Sequence, residues 1–494
     1  MPAKWDGGAG LMRGDERTWG LSEWVQELRF TFMPLYAANR MEMARGFCDF
    51  YTQMRPYLHA QTERMWGLPG IWIPETVTPW GHAEDWILDP QPSETFRWHI
   101  KPWDPATAPY GKFHHYNVFI GFLFTAGLEV CHHYLTYARY AGDQPFLRER
   151  AYPMVRDVSA FVISLLRIGD DGRYHLDPAN ALEMWWMVRD PSDTIDALRA
   201  ILPQFIQLSR DYAEDPELRQ KACDVLAALP DPPHAWCRED GSIDLDHDVY
   251  APPAAKGAFP KFGSAENPQL YRVFPFGLSG IGSADHALAR RTFDRRLCGL
   301  GNGWSMDAIW AARLGLGEQA CTLLAEHARK FNRFRYGGWD SNDSDVFPDD
   351  LAVAPCLDAG GLSACALQEI LLQSHNGIIR IAPAVSAEWS GVFRLRAEGG
   401  FMITADVHRG APRLAQVHSL LGGPCTIANP WTGRCVVQRR DDVLLRTDDR
   451  LLSFPTSPGD TYLLQNADHP LSRYQPQALC DEPNATPGLP GRDR

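Results

Sequence analysis

The stretch YPMVRDVSAFVISLL, residues 152–166, decides the fold. Met154, Val155, Val158, Phe161, Val162, Leu165 and Leu166 recur at steps of three and four. That is the rhythm of a helix with one buried face, and Pro153 suits its first turn. The same rhythm extends to both sides. Ile195, Leu198, Ile201, Leu202, Phe205 and Ile206 repeat it behind Ser192, a residue type that caps helix N-termini. Leu218, Ala222, Val225, Leu226 and Leu229 repeat it again, so helical spacing runs from about Leu21 to Ser374. Between the helices lie long, aromatic loops from Trp66 to Trp103, Pro230 to Gly263 and Arg335 to Pro355. Loops of that length in a compact domain are functional or disordered, and the aromatic content favours cleft walls at one end of a helical barrel.

After Pro383 the period falls to two. Phe393–Arg396, Phe401–His408, Val443–Arg446 and Leu451–Phe454 alternate, with turn signals at Arg409-Gly410, Gly422-Gly423-Pro424 and Pro458-Gly459. The expectation is a helical domain over 1–385 and an antiparallel β-sandwich over 386–471, packed on the helices through an apolar face. A tail rich in Pro, Asp and Asn follows at 472–494, expected to be extended or disordered.

With 494 residues, 45% of them hydrophobic, the chain can bury a large core. A formal net charge of −13 leaves no electrostatic footprint for nucleic acid or an anionic membrane surface. The 11 cysteines show no CxxC pair and no metal-ligand spacing, and read as reduced thiols. No stretch of about 18 apolar residues occurs, and the start lacks a basic region followed by an apolar one. These features point to a cytoplasmic protein without metal or organic cofactor, and they leave the oligomeric state open. The 17 tryptophans supply flat apolar faces of the kind sugar clefts use, although most tryptophans fill cores.

The chemistry rests on carboxylates set among apolar side chains. Glu183 lies in LEMWWM, residues 182–187, where desolvation would keep a carboxylic acid protonated near neutrality, as a general acid needs. Asp358 stands just before an apolar helix, and Gly360 and Gly361 allow a backbone to approach closely. Either residue can equally be a helix cap or a core carboxylate with satisfied hydrogen bonds. His114-His115 and His132-His133 are adjacent in sequence and point apart on a helix or strand, which suits polar core or cleft positions.

At these residues the chain resembles glycoside hydrolase family 95. CLDAGGLSACALQEILLQSHNGIIRIAPAV, residues 356–385, is similar in order and spacing to the family segment that holds its catalytic aspartate. HHYLTYARYAGDQPFLRERAYPMVRDVSAFVISLL, residues 132–166, and DDGRYHLDPANALE, residues 170–183, resemble the segments leading to its general-acid glutamate. Thr194-Ile195-Asp196, Asn267 to Pro275, Gly303-Trp304-Ser305 and Ala312-Arg313-Leu314-Gly315 extend the similarity. The resemblance implies an (α/α)6 toroid, without the family's first barrel helix unless a partner or an altered start supplies it, and hydrolysis of an α-L-fucoside or α-L-galactoside with inversion. It puts Asp358 on the catalytic aspartate and Glu183 on the general acid.

The departures fall on the polar residues around them. Glu27-Leu28-Arg29 replaces a family pair of asparagines that holds the attacking water, so Glu27 either acts as a base or pairs structurally with Arg29. Pro74-Glu75 replaces paired histidines, and Glu266 and Gln269 replace two more. The resulting expectation is a glycoside hydrolase with Glu183, Asp358 and Glu27 as catalytic residues. Arg29, Glu75, Glu266, Asn267, Trp72, Trp80, Trp185, Trp304 and Trp339 are the candidate sugar-binding residues. The alternatives are a catalytically inactive carbohydrate-binding or scaffolding protein, and a polysaccharide lyase.

Overall fold

The computed structural model describes residues 23–77, 121–237, 248–254, 266–300, 303–332 and 357–468, with short strand pairs that also take in 100–101, 116–117 and 243–244. Ten helices of seven or more residues occur among them. They are α1 (Val25–Ala37), α2 (Met41–Trp66), α3 (Thr125–Ala141), α4 (Tyr152–Leu165), α5 (Ser192–Tyr212), α6 (Pro216–Ala228), α7 (His286–Asp294), α8 (Asp307–Arg313), α9 (Gly317–Phe331) and α10 (Leu357–Leu371). The three helices read from periodicity are α4, α5 and α6. Pro153 stands in the first turn of α4 as expected, where its missing N–H costs nothing. Ser192 is the first residue of α5 and not its cap: Pro191 holds that position, and no side chain caps the helix.

Hydrogen bonds between inner elements give their direction. Arg29 meets Glu129 near the start of α1 and α3, while the Tyr36 hydroxyl reaches His133 Nδ1 further along, at 3.1 Å. Thr125 donates to Asp193 at the starts of α3 and α5, and Arg139 to Gln204 toward their other ends. The chain then runs irregularly through 268–281, with Asp196 beside Arg272. Trp310 and Arg313 of α8 donate to the Phe274 and Val273 carbonyls, and Arg313 pairs with Glu369 of α10. Finally α10 packs against α1, with Gln368 donating to the Pro34 carbonyl at 2.9 Å. The inner elements thus follow one another around a closed circuit, all running the same way, with α2, α4, α6, α7 and α9 as intervening return helices.

One contact fixes the closure. A Cβ on Gly361 would fall on the Phe30 carbonyl oxygen, well inside contact distance, so only glycine lets α10 lie this close to α1. The core behind the circuit is aromatic: Trp66, Trp72, Trp310, Tyr51 and Tyr134 are fully buried, and Trp66 meets Trp72 edge to face at 5.3 Å.

The C-terminal domain has eight strands: β1 (Gly391–Ala397), β2 (Phe401–His408), β3 (Ala411–Ser419), β4 (Gly423–Ala428), β5 (Cys435–Arg439), β6 (Asp442–Thr447), β7 (Leu451–Thr456) and β8 (Thr461–Asn466). Six make an antiparallel sheet in the order β1-β2-β3-β8-β5-β6, and β4 pairs with β7 apart from it. Ile403, Val417 and Leu464 from the first sheet share one core with Cys425, Ile427, Leu452 and Phe454 from the second. All three turn signals in the sequence hold, with positive φ at Arg409, Gly410, Gly422, Gly423 and Gly459.

The docking face combines apolar packing with a polar clamp. Buried Arg396 donates to the Tyr140 carbonyl at the end of α3, at 3.0 and 2.5 Å, and to Asn39 Oδ1 at 2.7 Å. Arg139 pairs with Glu398 at 3.1 Å, and Leu421 lies against Gly142, while Leu371 of α10 packs in the sheet domain's core and Val385 touches both cores. The clamp answers the exposed carbonyls of a helix C-terminus, which need donors when covered.

Candidate active site

Because the inner elements run one way, their starts share one end of the circuit. Glu27 and Asp358 lie in the first turns of α1 and α10, which pack directly, and Asp193 and Asp307 in those of α5 and α8. Carboxylates there meet the positive ends of helix dipoles. Asp358 Oδ1 accepts from the Ala359 N–H at 2.8 Å.

Glu183 reaches the same region from a strained hairpin. Ala179–Ala181 pairs with Trp185–Val188, and Leu182 and Met187 take φ of 48° and 53°. Left-handed backbone in such residues costs on the order of 1 kcal/mol or more, and the surroundings hold it in place. Asn180 Oδ1 accepts from the Met187 N–H at 3.0 Å, and the Trp186 indole donates to the Glu183 carbonyl at 2.9 Å. At the hairpin base His175 Nδ1 meets Asp190 at 2.6 Å. Glu266 Oε2 accepts from the Glu183 N–H at 3.2 Å.

The Glu183 carboxyl receives the Gln26 side-chain amide at 2.6 Å, and the Gln26 backbone N–H donates to Glu75 Oε1 at 3.1 Å. One residue of α1 therefore ties two carboxyls together. Burial, then the Glu266 and Glu75 carboxylates, push Glu183 well above the usual carboxylate range, against the Gln26 hydrogen bond. Burial with Glu129 and Glu266 pushes Glu75 up to about 8, and burial raises Glu129 to about 7 against the opposing Arg29. Asp193 is pushed up to about 8 by burial, against its hydrogen bond from Thr125. The site is a desolvated set of carboxylic acids, several of them holding protons at neutral pH.

Arg29 sits among them but is not Glu27's partner. Its guanidinium meets Glu129 at 3.0 Å and donates to the Tyr271 hydroxyl at 2.6 Å. Residues two apart on a helix do not face each other, which is the physical reason the Glu27–Arg29 pairing does not form. Burial works most strongly against the charge, but Glu129, Tyr271 and Glu266 together more than offset it and Arg29 stays cationic.

Other expected sugar contacts are turned inward. Trp72 and Trp185 are each 1% exposed, so neither is a stacking wall: Trp72 packs in the main core and Trp185 in a small cluster with Met184 and Val188. The Asn267 amide is committed to the Cys298 backbone, donating at 2.8 Å and accepting at 3.3 Å. Trp304 is half-buried at the core edge. Trp80 and Trp339 lie outside the described residues, as do His114, His115 and most of the three long loops. Gln26, Glu129, Asp193 and Tyr271 were not singled out from sequence. Glu129 carries the signal that marked Glu183, a carboxylate between Leu128 and Val130, whereas nothing local marks Gln26. Among the described residues no three His, Cys, Asp or Glu side chains form a group able to hold a metal ion.

Residues 28–347 match the family model described as the glycosyl hydrolase family 95 catalytic domain, and residues 373–464 match the glycoside hydrolase family 95 C-terminal domain. The chain belongs to glycoside hydrolase family 95. The family 95 catalytic match covers Glu183, Glu75, Glu129 and Glu266, begins beside Glu27, and ends before Asp358. A curated relative, alpha-L-fucosidase 2 of Arabidopsis thaliana, is 25% identical over 296 residues, 56% of this chain and 34% of that protein. The chain thus spans about a third of the relative's length. Among solved structures, a putative kojibiose phosphorylase from the human microbiome aligns with a TM-score of 0.55 at 10% identity, covering 89% of this chain and 55% of that one. That likeness supports the family 95 fold and nothing about its chemistry.

Proposed function

We propose that this family 95 chain hydrolyses a glycosidic bond with inversion, on an (α/α)6 toroid whose cleft opens at the shared starts of the inner helices. The observation that carries the reading is Glu183, a buried carboxyl held protonated by its surroundings and fixed by Gln26 at 2.6 Å. In the proposed step the Glu183 proton passes to the leaving oxygen as the anomeric C–O bond breaks. Water adds to the anomeric carbon from the opposite face and gives its proton to Asp358 or Glu27, neighbours at the starts of two packed helices. Glu75 and Glu266 face the sugar hydroxyls as acceptors or, where protonated, donors. An α-L-fucoside or α-L-galactoside is the first substrate class to test, in line with the curated relative. A uronate substrate, as a lyase would take, meets repulsion from this set of carboxyls, since Arg29 is already engaged by Glu129.

Glu183→Gln removes the proton and keeps the shape, so turnover on a responsive glycoside should fall by roughly 10²–10⁴-fold with the melting temperature retained. Proton NMR of the first-formed sugar should show the anomer opposite to the substrate's. Near-wild-type activity in the variant would end the general-acid role, and initial retention would end the water-attack mechanism. Binding of oligosaccharide without turnover across a glycoside panel would favour the inactive, sugar-binding reading.

A further inference from the structure

The segment that carries Glu183 is tied at its base by two reciprocal hydrogen bonds. The Asp190 N–H donates to the Leu176 carbonyl at 2.8 Å, and the Leu176 N–H donates to Asp190 Oδ1, also at 2.8 Å. Between them runs the hairpin, in which Leu182 and Met187 are left-handed, and Asp190 itself takes φ of 49°. Backbone of this kind does not hold its own shape, so contacts from outside must fix it. Asp190 is buried, and its second oxygen, Oδ2, meets His175 Nδ1 at 2.6 Å, with the Arg189 guanidinium further off at 3.6 Å.

His175 is gripped on its other side as well. Its Nε2 lies 3.0 and 3.1 Å from the two carboxylate oxygens of Asp171. Gly169 leaves the ring room, since a Cβ there would fall 2.8 Å from the imidazole Cδ2. Carboxylates on both ring nitrogens suit an imidazolium, which donates from each. Burial works against that charge, but the hydrogen bonds to Asp190 and Asp171 outweigh it and hold the His175 pKa above its ordinary value. The charged groups facing the ring are Asp190, Asp171, Asp177 and Arg189. A ring that loses one proton keeps the one shared with buried Asp190 and releases Asp171, which is 52% exposed and can turn to water.

We infer that His175 is a positioning residue for the general acid: by donating from Nδ1 to Asp190 it closes the base of the hairpin and holds the Glu183 carboxyl in its buried place against Gln26. The assignment rests on the proposed role of Glu183. His175 acts only through Asp190 and the backbone. The hairpin has separate ties, among them the Asn180 N–H on the Phe122 carbonyl at 2.9 Å and the Trp185 cluster, so the chain should still fold when the base is loosened.

Two substitutions in the full chain separate the two ring nitrogens. An asparagine amide nitrogen falls near the place of Nδ1 and a glutamine's near that of Nε2, so His175→Asn keeps the bond to Asp190 and His175→Gln keeps the one to Asp171. His175→Gln should lower kcat about tenfold with KM little changed, whereas His175→Asn should stay within about twofold of wild type. The alkaline limb of kcat/KM should move to lower pH in His175→Gln, because a displaced Glu183 escapes the burial and the Glu266, Glu75 and Glu27 carboxyls that raise it. A second readout does not use turnover. Carbon-13 NMR titration of the Glu183 carboxyl, identified by its loss in Glu183→Gln, should show the same downward move in His175→Gln and none in His175→Asn. Equal behaviour of the two variants, or an unmoved Glu183 titration in His175→Gln, overturns the assignment. Full activity of Glu183→Gln would sink the general-acid reading instead, and the carboxyl titration would still decide whether His175 holds Glu183 in place.

Discussion

At the residue scale, the decisive geometry is the pair of hydrogen bonds from Gln26. Its side-chain amide favours the ionised Glu183, so losing it should raise the Glu183 pKa further while freeing the carboxyl to turn. Gln26→Leu should lower kcat on the order of tenfold and move the alkaline limb of the kcat/KM profile to higher pH. A merely structural role would lower both parameters without moving that limb. Glu183 was legible because burial acts on carboxylates wherever they occur, and Glu129 in GLEVC carries the same mark as LEMWWM but went unread. Gln26 was not legible, because its role arises only when α1 and the Glu183 hairpin, 157 positions apart in sequence, come together. The same long-range folding turned Trp72 and Trp185 into core residues, since a tryptophan in a loop carries no local sign of which way it points.

At the scale of elements, the amphipathic rhythm gave α4, α5 and α6 with their faces, and glycine-bearing turns located the strand boundaries. What periodicity lacked was the irregular inner stretch 268–281, whose turns bury Tyr271 and Phe274 without any repeat to announce them. The α1–α10 contact is the element-level feature most open to challenge. Gly361→Ala places a methyl group on the Phe30 carbonyl, and overpacking of that kind costs about 1–3 kcal/mol or more. Chemical denaturation should register that loss, and activity should fall with it because Glu27 and Asp358 ride on the two helices being pushed apart.

For the whole molecule, the buried acids set the response to pH. Glu75, Glu129 and Asp193 keep their protons in the folded chain up to about 8, 7 and 8, well above their unfolded values. The folded state therefore binds more protons through that window, and their contribution is lost as pH rises through it. His132, His133 and His375, buried and neutral, act in the opposite sense, but only below about pH 6.5, where the unfolded chain takes up protons. Above neutrality the carboxyls lead, joined toward pH 9 by buried thiols such as Cys298 that burial also raises, so the melting temperature should fall between about pH 7 and about pH 9, and Glu75→Gln should flatten that slope. The Arg396 clamp yields a second expectation. Removing the sheet domain breaks the clamp and uncovers Leu371 and Leu372, which pack in that domain's core, so differential scanning calorimetry of the intact chain should show one transition, and a fragment ending near Pro383 should aggregate. A soluble fragment melting cooperatively would show the domain to be dispensable.

The glycine at the α1–α10 seam also turns the cleft into a ruler. With no slack between the two backbones, Asp358 on α10 cannot slide along α1, whose Gln26 holds the proposed acid Glu183 at 2.6 Å, so the spacing of acid and base is set by the seam. It can change only by lengthening or shortening a side chain, in steps of about 1.5 Å, one carbon–carbon bond. Inverting and retaining glycosidases differ by a few ångströms in acid–base separation, roughly 6.5–9.5 Å against 5–5.5 Å. An engineer wishing to convert one outcome into the other on this scaffold would have a small, countable set of moves, Asp358→Glu and Glu27→Asp among them, and no continuous adjustment in between.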